Sequence, residues 1–267
     1  MLRRILGRDL RQRLERDIRE LGKPPPPGPI ITDADLAGLP APVQRYFRFM
    51  GVLGRPRAGS FRGHLVCKFR TRPNQGLWPA EIWQYNRVEP LTRVFWMRIS
   101  VAGIVPMVGR DTYCDGQGRM LGKLLDRFVV ADGSGEEFDI GELTIWLNDA
   151  VLMEPTLLFR ADVRFEADGD DAFVVQLSDA GMTVSARVPL DDRGAPTTFE
   201  SEDRWADLPG GLVRSRWSTP IDGWQRINGR ALPTRGAAVW HLPEGDFTYA
   251  DLGFAPDGIT PDPDLPT

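Results

Sequence analysis

The sequence predicts an α+β fold: a large antiparallel β-sheet curled into a half-barrel, helices across its concave side, and an amphipathic helix at the N-terminus. Three observations predict it. Apolar residues alternate with a period of two through most of residues 58–242, the spacing at which strand side chains take turns on the two faces of a sheet. The segments between those runs are turn chemistry: DGQG, ADGSG, EADGDD, SDAG, DDRGA and LPGG. Only two long stretches follow the 3.6-residue period of a helix, one at the N-terminus and one mid-chain. Strands at hairpin spacing build one sheet, and a meander of about eleven is too long to stay flat.

Residues 1–21, MLRRILGRDLRQRLERDIREL, place apolar side chains at 2, 5, 6, 10, 14, 18 and 21, with arginines and acids on the other faces. Opposite charges at helical spacing favour an exposed helix. The stripe suits three roles: an arm docked on its own domain, a contact with a second subunit in a homodimer, or a peripheral contact with anionic lipid. GKPPPPGPI follows, and proline cannot continue a helix, so residues 22–31 read as a stiff linker. One half-barrel domain is expected over 32–255. Thr32 or Asp33 caps a short helix across DADLAG. Pro42 suits the first turn of a second helix, in which Val43, Tyr46, Phe47 and Met50 share a face. Strands are expected at 60–71, 80–88, 91–101, 107–114, 118–124, 161–167, 172–178, 182–188, 196–205, 212–219 and 235–242. The mid-chain helix spans 138–150, with Leu143, Trp146, Leu147 and Ala150 on one side, and Glu154-Pro155 stops it. From Pro256 onward, PDGITPDPDLPT reads as a disordered tail over 256–267.

Composition excludes several functions. A net charge of -4 and a pI near 5.4 argue against nucleic acid as a partner, since binding phosphate requires a basic surface. With two cysteines and two histidines, and no CxxC or HExxH spacing, no transition-metal site is expected. No P-loop, dinucleotide fingerprint or GxSxG occurs, so no cofactor is expected either. Cys67 and Cys114 read as reduced thiols, unless their strands lie side by side. No apolar run is long enough to cross a bilayer and the N-terminus lacks a signal-peptide core, so a cytoplasmic location is expected.

Four stretches carry a resemblance: LPAPVQRYFRFMGVLGRPR (39–57), GRDTYCDGQGRMLGKLL (109–125), GELTIWL (141–147) and LPTRGAAVWHLPEGDFTY (232–249). They resemble an uncharacterised bacterial family known only as a domain of unknown function, over roughly residues 32–250. That family is similar in shape to the lipoprotein-carrier (LolA-like) half-barrels. The resemblance implies an apolar concavity of the kind that holds acyl chains. This chain departs from the family pattern in three places: Ile145 stands where an Arg is usual, Asp149 where a Glu is usual, and Ala237 where an acid is usual. The first and last changes make the interior more apolar.

Two sets of residues are candidates for chemistry. In GRDTYCDGQGR, strand alternation separates Asp111 and Tyr113 from Arg110, Thr112 and Cys114. If their face is the concave one, Asp111 and Tyr113 form an acid–base pair in an apolar hollow; otherwise the stretch is two strands joined by a turn. The second set would line a ligand site: Trp83 and Tyr85 on one strand face, Trp96 and Arg98 on the next strand, Glu142 and Trp146 on the crossing helix, and Trp240. Tryptophan walls with a few placed polar groups suit apolar ligands, and Arg98 would anchor a carboxylate or carbonyl. The leading expectation is therefore a protein that binds a hydrophobic small molecule or acyl chain. The alternatives are a cofactor-independent cyclase or isomerase of a polyketide- or terpenoid-like substrate, with catalysis from Asp111 and Tyr113, and an interaction protein working through its N-terminal helix.

Overall fold

The computed structural model describes residues 2–208 and 210–264. Four α-helices occur among them: α1 (Leu2–Glu20), α2 (Asp33–Leu36), α3 (Ala41–Met50) and α4 (Glu136–Met153). The strands before α4 are β1 (Ser60–Phe69), β2 (Trp78–Val88), β3 (Leu91–Val101), β4 (Val105–Cys114), β5 (Gln117–Leu124) and β6 (Phe128–Ser134). After α4 come β7 (Val163–Ala167), β8 (Ala172–Asp179), β9 (Met182–Pro189), β10 (Glu200–Ser201), β11 (Trp205–Leu208) and β12 (Gly211–Arg214). The remainder are β13 (Trp217–Ser218), β14 (Trp224–Ile227), β15 (Arg230–Pro233), β16 (Arg235–Leu242) and β17 (Gly245–Pro261).

Thirteen strands form one sheet in the order β6-β5-β4-β3-β2-β1-β17-β16-β13-β10-β9-β8-β7. The edge strands β6 and β7 do not pair, so the sheet is an open half-barrel. Each half is close to a meander, and β17 joins them by pairing with β1 on one side and β16 on the other. Between the edges the chain runs from β6 through α4, crossing the concave side. Residues 141–153 of α4 are buried apart from Ile145, so this helix lies between layers rather than on a surface.

The predicted face of α3 is correct. Val43, Tyr46, Phe47 and Met50 are buried, and the Tyr46 hydroxyl donates to the Val151 carbonyl of α4 at 2.7 Å. That helix ends on Gly51 at φ 72°, where a Cβ would meet the Gly229 carbonyl oxygen at 2.1 Å. α1 lies on the convex side. Leu14 and Ile18 pack on Tyr85 and Val94, and Asp17 accepts from the Trp96 indole at 2.8 Å. No helix among the described residues is long and apolar enough to cross a membrane. Both cysteines are free, and β1 and β4 are not neighbours.

Four parts of the sequence reading need correction. The expected tail, whose residues 265–267 lie outside the described ones, is strand as far as Pro261, with Phe61↔Pro261, Arg62↔Thr260 and Gly63↔Ile259 in register. The ladder then skips from Ile259 to Phe254, and the bulge absorbs the proline that signalled a break. Asp262 follows, its Oδ1 accepting from the Gly59 and Ser60 amides at 2.8 and 2.9 Å. Second, the stretch ADGSG belongs partly to β6 rather than to a turn. A Cβ at Gly133 would sit 2.1 Å from Phe138 Cζ, so this glycine makes room for a ring of α4. Third, the expected strands 196–205 and 212–219 give the main sheet only Glu200–Ser201 and Trp217–Ser218; between them the chain leaves it for the hairpin β11–β12. Fourth, β14 and β15 form a hairpin that the periodicity missed.

Candidate functional site

The hollow between the concave face and α4 holds a cavity of about 340 Å³. Cross-strand register explains its floor. One row reads Leu65, Ile82, Met97, Gly109, Gly122 from β1 to β5. Side chains vanish along that row at two paired glycines, and the space they leave is part of the cavity. The next row, Gln84, Phe95, Asp111, Met120, also lines it. Ile145 and Leu152 of α4 close the top, and Trp217, Trp240 and Phe247 form the far wall. The hairpin β11–β12 contributes Trp205 and Leu212.

An ionic cluster sits within this apolar surround. Arg93, 3% exposed, donates from Nε to Asp149 Oδ2 at 2.8 Å and from Nη1 to Glu142 Oε2 at 2.9 Å. Asp149 Oδ2 also accepts from Gln84 and Asn86, each at 3.1 Å. Glu142 and Asp149, seven apart on α4, reach the same guanidinium because two helical turns bring them back to one face. Burial is the largest influence on all three acids here. It pushes Asp149 up despite its donors, Asp111 to about 6 and Glu142 to about 8. Arg93 opposes each shift, and in return the acids raise its own pKa against the cost of its burial. Glu142 has one donor where Asp149 has three, so of the two it is Glu142 whose protonated form is the more favoured.

Arg93 and Arg204 are cavity residues that the sequence reading missed. Arg204 follows β10 where the chain leaves the sheet; its guanidinium carbon lies 4.3 Å from the Trp217 ring centroid and 4.9 Å from that of Trp240. Its Nε and Nη1 are buried without a hydrogen-bond partner. Nothing in SEDRWADLPGG distinguishes Arg204 from the many other arginines; only the departure of the chain from the sheet turns it inward.

The predicted site residues separate into three places. Asp111, Glu142 and Trp240 line the cavity. Tyr113 shares the face of Asp111, as alternation requires, but is fully buried beyond it, its hydroxyl donating to Asp179 at 2.6 Å. Trp146 is sealed in the core, where its indole N–H donates to the Arg87 carbonyl at 3.3 Å. Trp83, Tyr85, Trp96 and Arg98 are on the opposite, convex face. Trp83, Tyr85 and Trp96 pack beneath α1, and Arg98 stands opposite Glu81. They share a strand parity that points away from Phe95 and Met97, so they cannot reach the cavity.

His241 stands on the face of β16 opposite Trp240. Its Nε2 lies 2.8 Å from Ser218 Oγ, and its Nδ1 2.7 Å from Asp246 Oδ1. This is the connectivity of a catalytic triad. Ser218 is only 5% exposed and outside the cavity lining, so the arrangement is a hydrogen-bonded strut on the convex face. Among the described residues no group of His, Cys, Asp and Glu could hold a metal ion.

Residues 29–252 match the model of a family described as a family of unknown function (DUF6544), and the chain belongs to it. All four stretches that carried the resemblance fall inside that match. A search of curated proteins found no match. Among solved structures, the chain is similar to a LolA superfamily protein from Nitrosomonas europaea, with 13% identity and a TM-score of 0.42 over 85% of this chain and 96% of that one. It is also similar to a putative outer membrane lipoprotein-sorting protein domain from Vibrio parahaemolyticus, with 12% identity and a TM-score of 0.36, covering 76% and 85%. A DUF1329 family protein from Desulfovibrio piger shows 11% identity and a TM-score of 0.41, covering 88% and 94%.

Proposed function

We propose that this DUF6544 member binds a hydrophobic small molecule or acyl chain in the hollow between its sheet and α4. The observation that supports this is the cavity itself: about 340 Å³ within mainly apolar walls, in a protein whose other large side chains pack closely. That volume is within the range of about 300–1,000 Å³ typical of small-molecule sites. The Trp walls are Trp205, Trp217 and Trp240, in place of the convex tryptophans. The test is to fill the space. A Cβ at Gly109 meets only Met97, at 3.6 Å, so Gly109→Phe projects into the hollow without a backbone clash. Native mass spectrometry of the wild type against a lipid extract should show a bound species that the variant excludes. Equal uptake by both would remove the ligand from this cavity.

One observation favours a second reading, a cofactor-independent cyclase or isomerase. Asp111 and Glu142 titrate on either side of neutrality and face the same apolar space, so one is poised as a base and the other as an acid. In this reading Glu142 takes the role expected of Tyr113. Asp111→Asn should then abolish turnover of a bound ligand while leaving its retention intact; unchanged turnover would exclude Asp111 from the chemistry.

A further inference from the structure

The ligand's polar end can be assigned from the charges that line the hollow; this rests on the reading of the cavity as a ligand site. The guanidinium carbon of Arg204 lies 4.3 and 4.9 Å from two indole ring centroids, where cation–π attraction to both holds it in place. Two of its donors, Nε and Nη1, are buried and unpartnered. A buried donor without an acceptor costs free energy that an incoming oxygen would recover. Arg93, the other deep guanidinium, is different: Asp149 and Glu142 already occupy it. Arg204 is thus the unfilled donor of the site.

The acceptor it would take is constrained by its neighbours. With Glu142 held neutral by its raised pKa, the carboxylates of Asp111 and Asp149 match the guanidiniums of Arg93 and Arg204. Among the remaining charged lining residues the acids are in excess, Glu137 and Asp207 against Arg70. A ligand carboxylate would add to that excess, in a low-dielectric surround where such repulsion is strong. An amine would balance that charge but offers Arg204 no acceptor and is repelled by it. An uncharged oxygen meets both requirements.

We propose that Arg204 anchors an uncharged carbonyl oxygen at the polar end of an apolar ligand, as in an acyl ester or ketone, and that the cavity discriminates against both carboxylates and amines. Three probes with one tail test this: methyl decanoate, decanoate and decylamine, titrated by calorimetry into wild type, Arg204→Met and Arg204→Gln at neutral pH. Thermal melts establish that each variant is folded. The wild type should bind methyl decanoate at least about tenfold more tightly than either charged probe, the worth of a hydrogen bond from a charged donor. Both variants should lose that preference, and decylamine should bind them more tightly than it binds wild type because the repelling cation is gone. Damage to the fold would instead weaken all three probes together, and that pattern would overturn the assignment. A carboxylate bound as tightly as the ester, or a preference for the ester that survives in both variants, would overturn it while leaving the cavity reading in place. Failure of all three probes in wild type would refute the cavity reading and this inference with it.

Discussion

Glu142→Gln should flatten the dependence of stability on pH. Glu142 is 4% exposed, and burial, reinforced by the negative charges of Asp111 and Asp149, raises its carboxyl from the ordinary 4.5 to about 8. Between those values the folded protein holds a proton on Glu142 that the unfolded chain has released. Stability from this group is therefore complete below about 4.5 and falls as pH rises toward about 8. Inside the window, one such group removes up to about 1.4 kcal/mol per pH unit. From pH 5.5 to 7.5 the wild type should lose at most about 3 kcal/mol through it. Glutamine does not titrate and keeps an oxygen for Arg93 Nη1, now 2.9 Å away. Asp111 and Asp149 titrate in both proteins, so they largely cancel in the comparison. Urea unfolding followed by tryptophan fluorescence at the two pH values measures the difference. The gap between wild type and variant should move in favour of the variant by about 2–3 kcal/mol. Parallel profiles would refute the reasoning, because they would mean that Glu142 is ionised in the folded protein and that Arg93, not burial, dominates it.

Three further outcomes follow from the same geometry. Arg93→Met leaves Asp149 and Glu142 buried without a cation and should cost about 3–5 kcal/mol in a urea melt, more at pH 7.5 than at 5.5; an unchanged midpoint would show that the cluster is not coupled to folding. Trp240→Ala should weaken ligand retention in native mass spectrometry, whereas Trp96→Ala, on the convex face under α1, should leave retention unchanged and lower the thermal midpoint; the reverse pattern would exchange the two faces. A fluorophosphonate probe should fail to label Ser218, whose hydroxyl is buried against His241; labelling that His241→Ala abolishes would make the strut a nucleophile.

Periodicity in the sequence carried the strand parities correctly. Trp83 and Tyr85 do share a face, as do Trp96 and Arg98, and Asp111 with Tyr113. What the pattern could not reveal was which face is concave, because both are apolar here. One packs on α4 and its cavity, the other beneath Leu14 and Ile18 of α1. A sheet covered on both sides loses the polar–apolar contrast that orients it. The aromatic set was therefore split, with Trp240 inside and Trp83, Tyr85 and Trp96 outside. Arg93 and Arg204 went unnoticed for a related reason: an arginine in an apolar run reads as an exposed alternation, and its burial depends on carboxyls about fifty residues away or on rings brought in by another strand. The family stretches were legible because they are local, and they included the segment of α4 that supplies Glu142.

The position of β17 bears on the order in which the protein acquires its shape. β1–β6 and β7–β16 are each a nearly sequential ladder, able to form from neighbouring hairpins as they leave the ribosome. The strand that couples them is made after both, and it pairs with β1 across most of the length of the chain. Until residues 245–261 emerge, β1 and β16 are open edges, and the hollow has only part of its wall because Phe247 and Tyr249 come with β17. Nascent chains thus expose two unpaired strand edges beside a greasy trough, which makes this interval of synthesis the one in which chaperone capture or mispairing between neighbouring copies is most favoured.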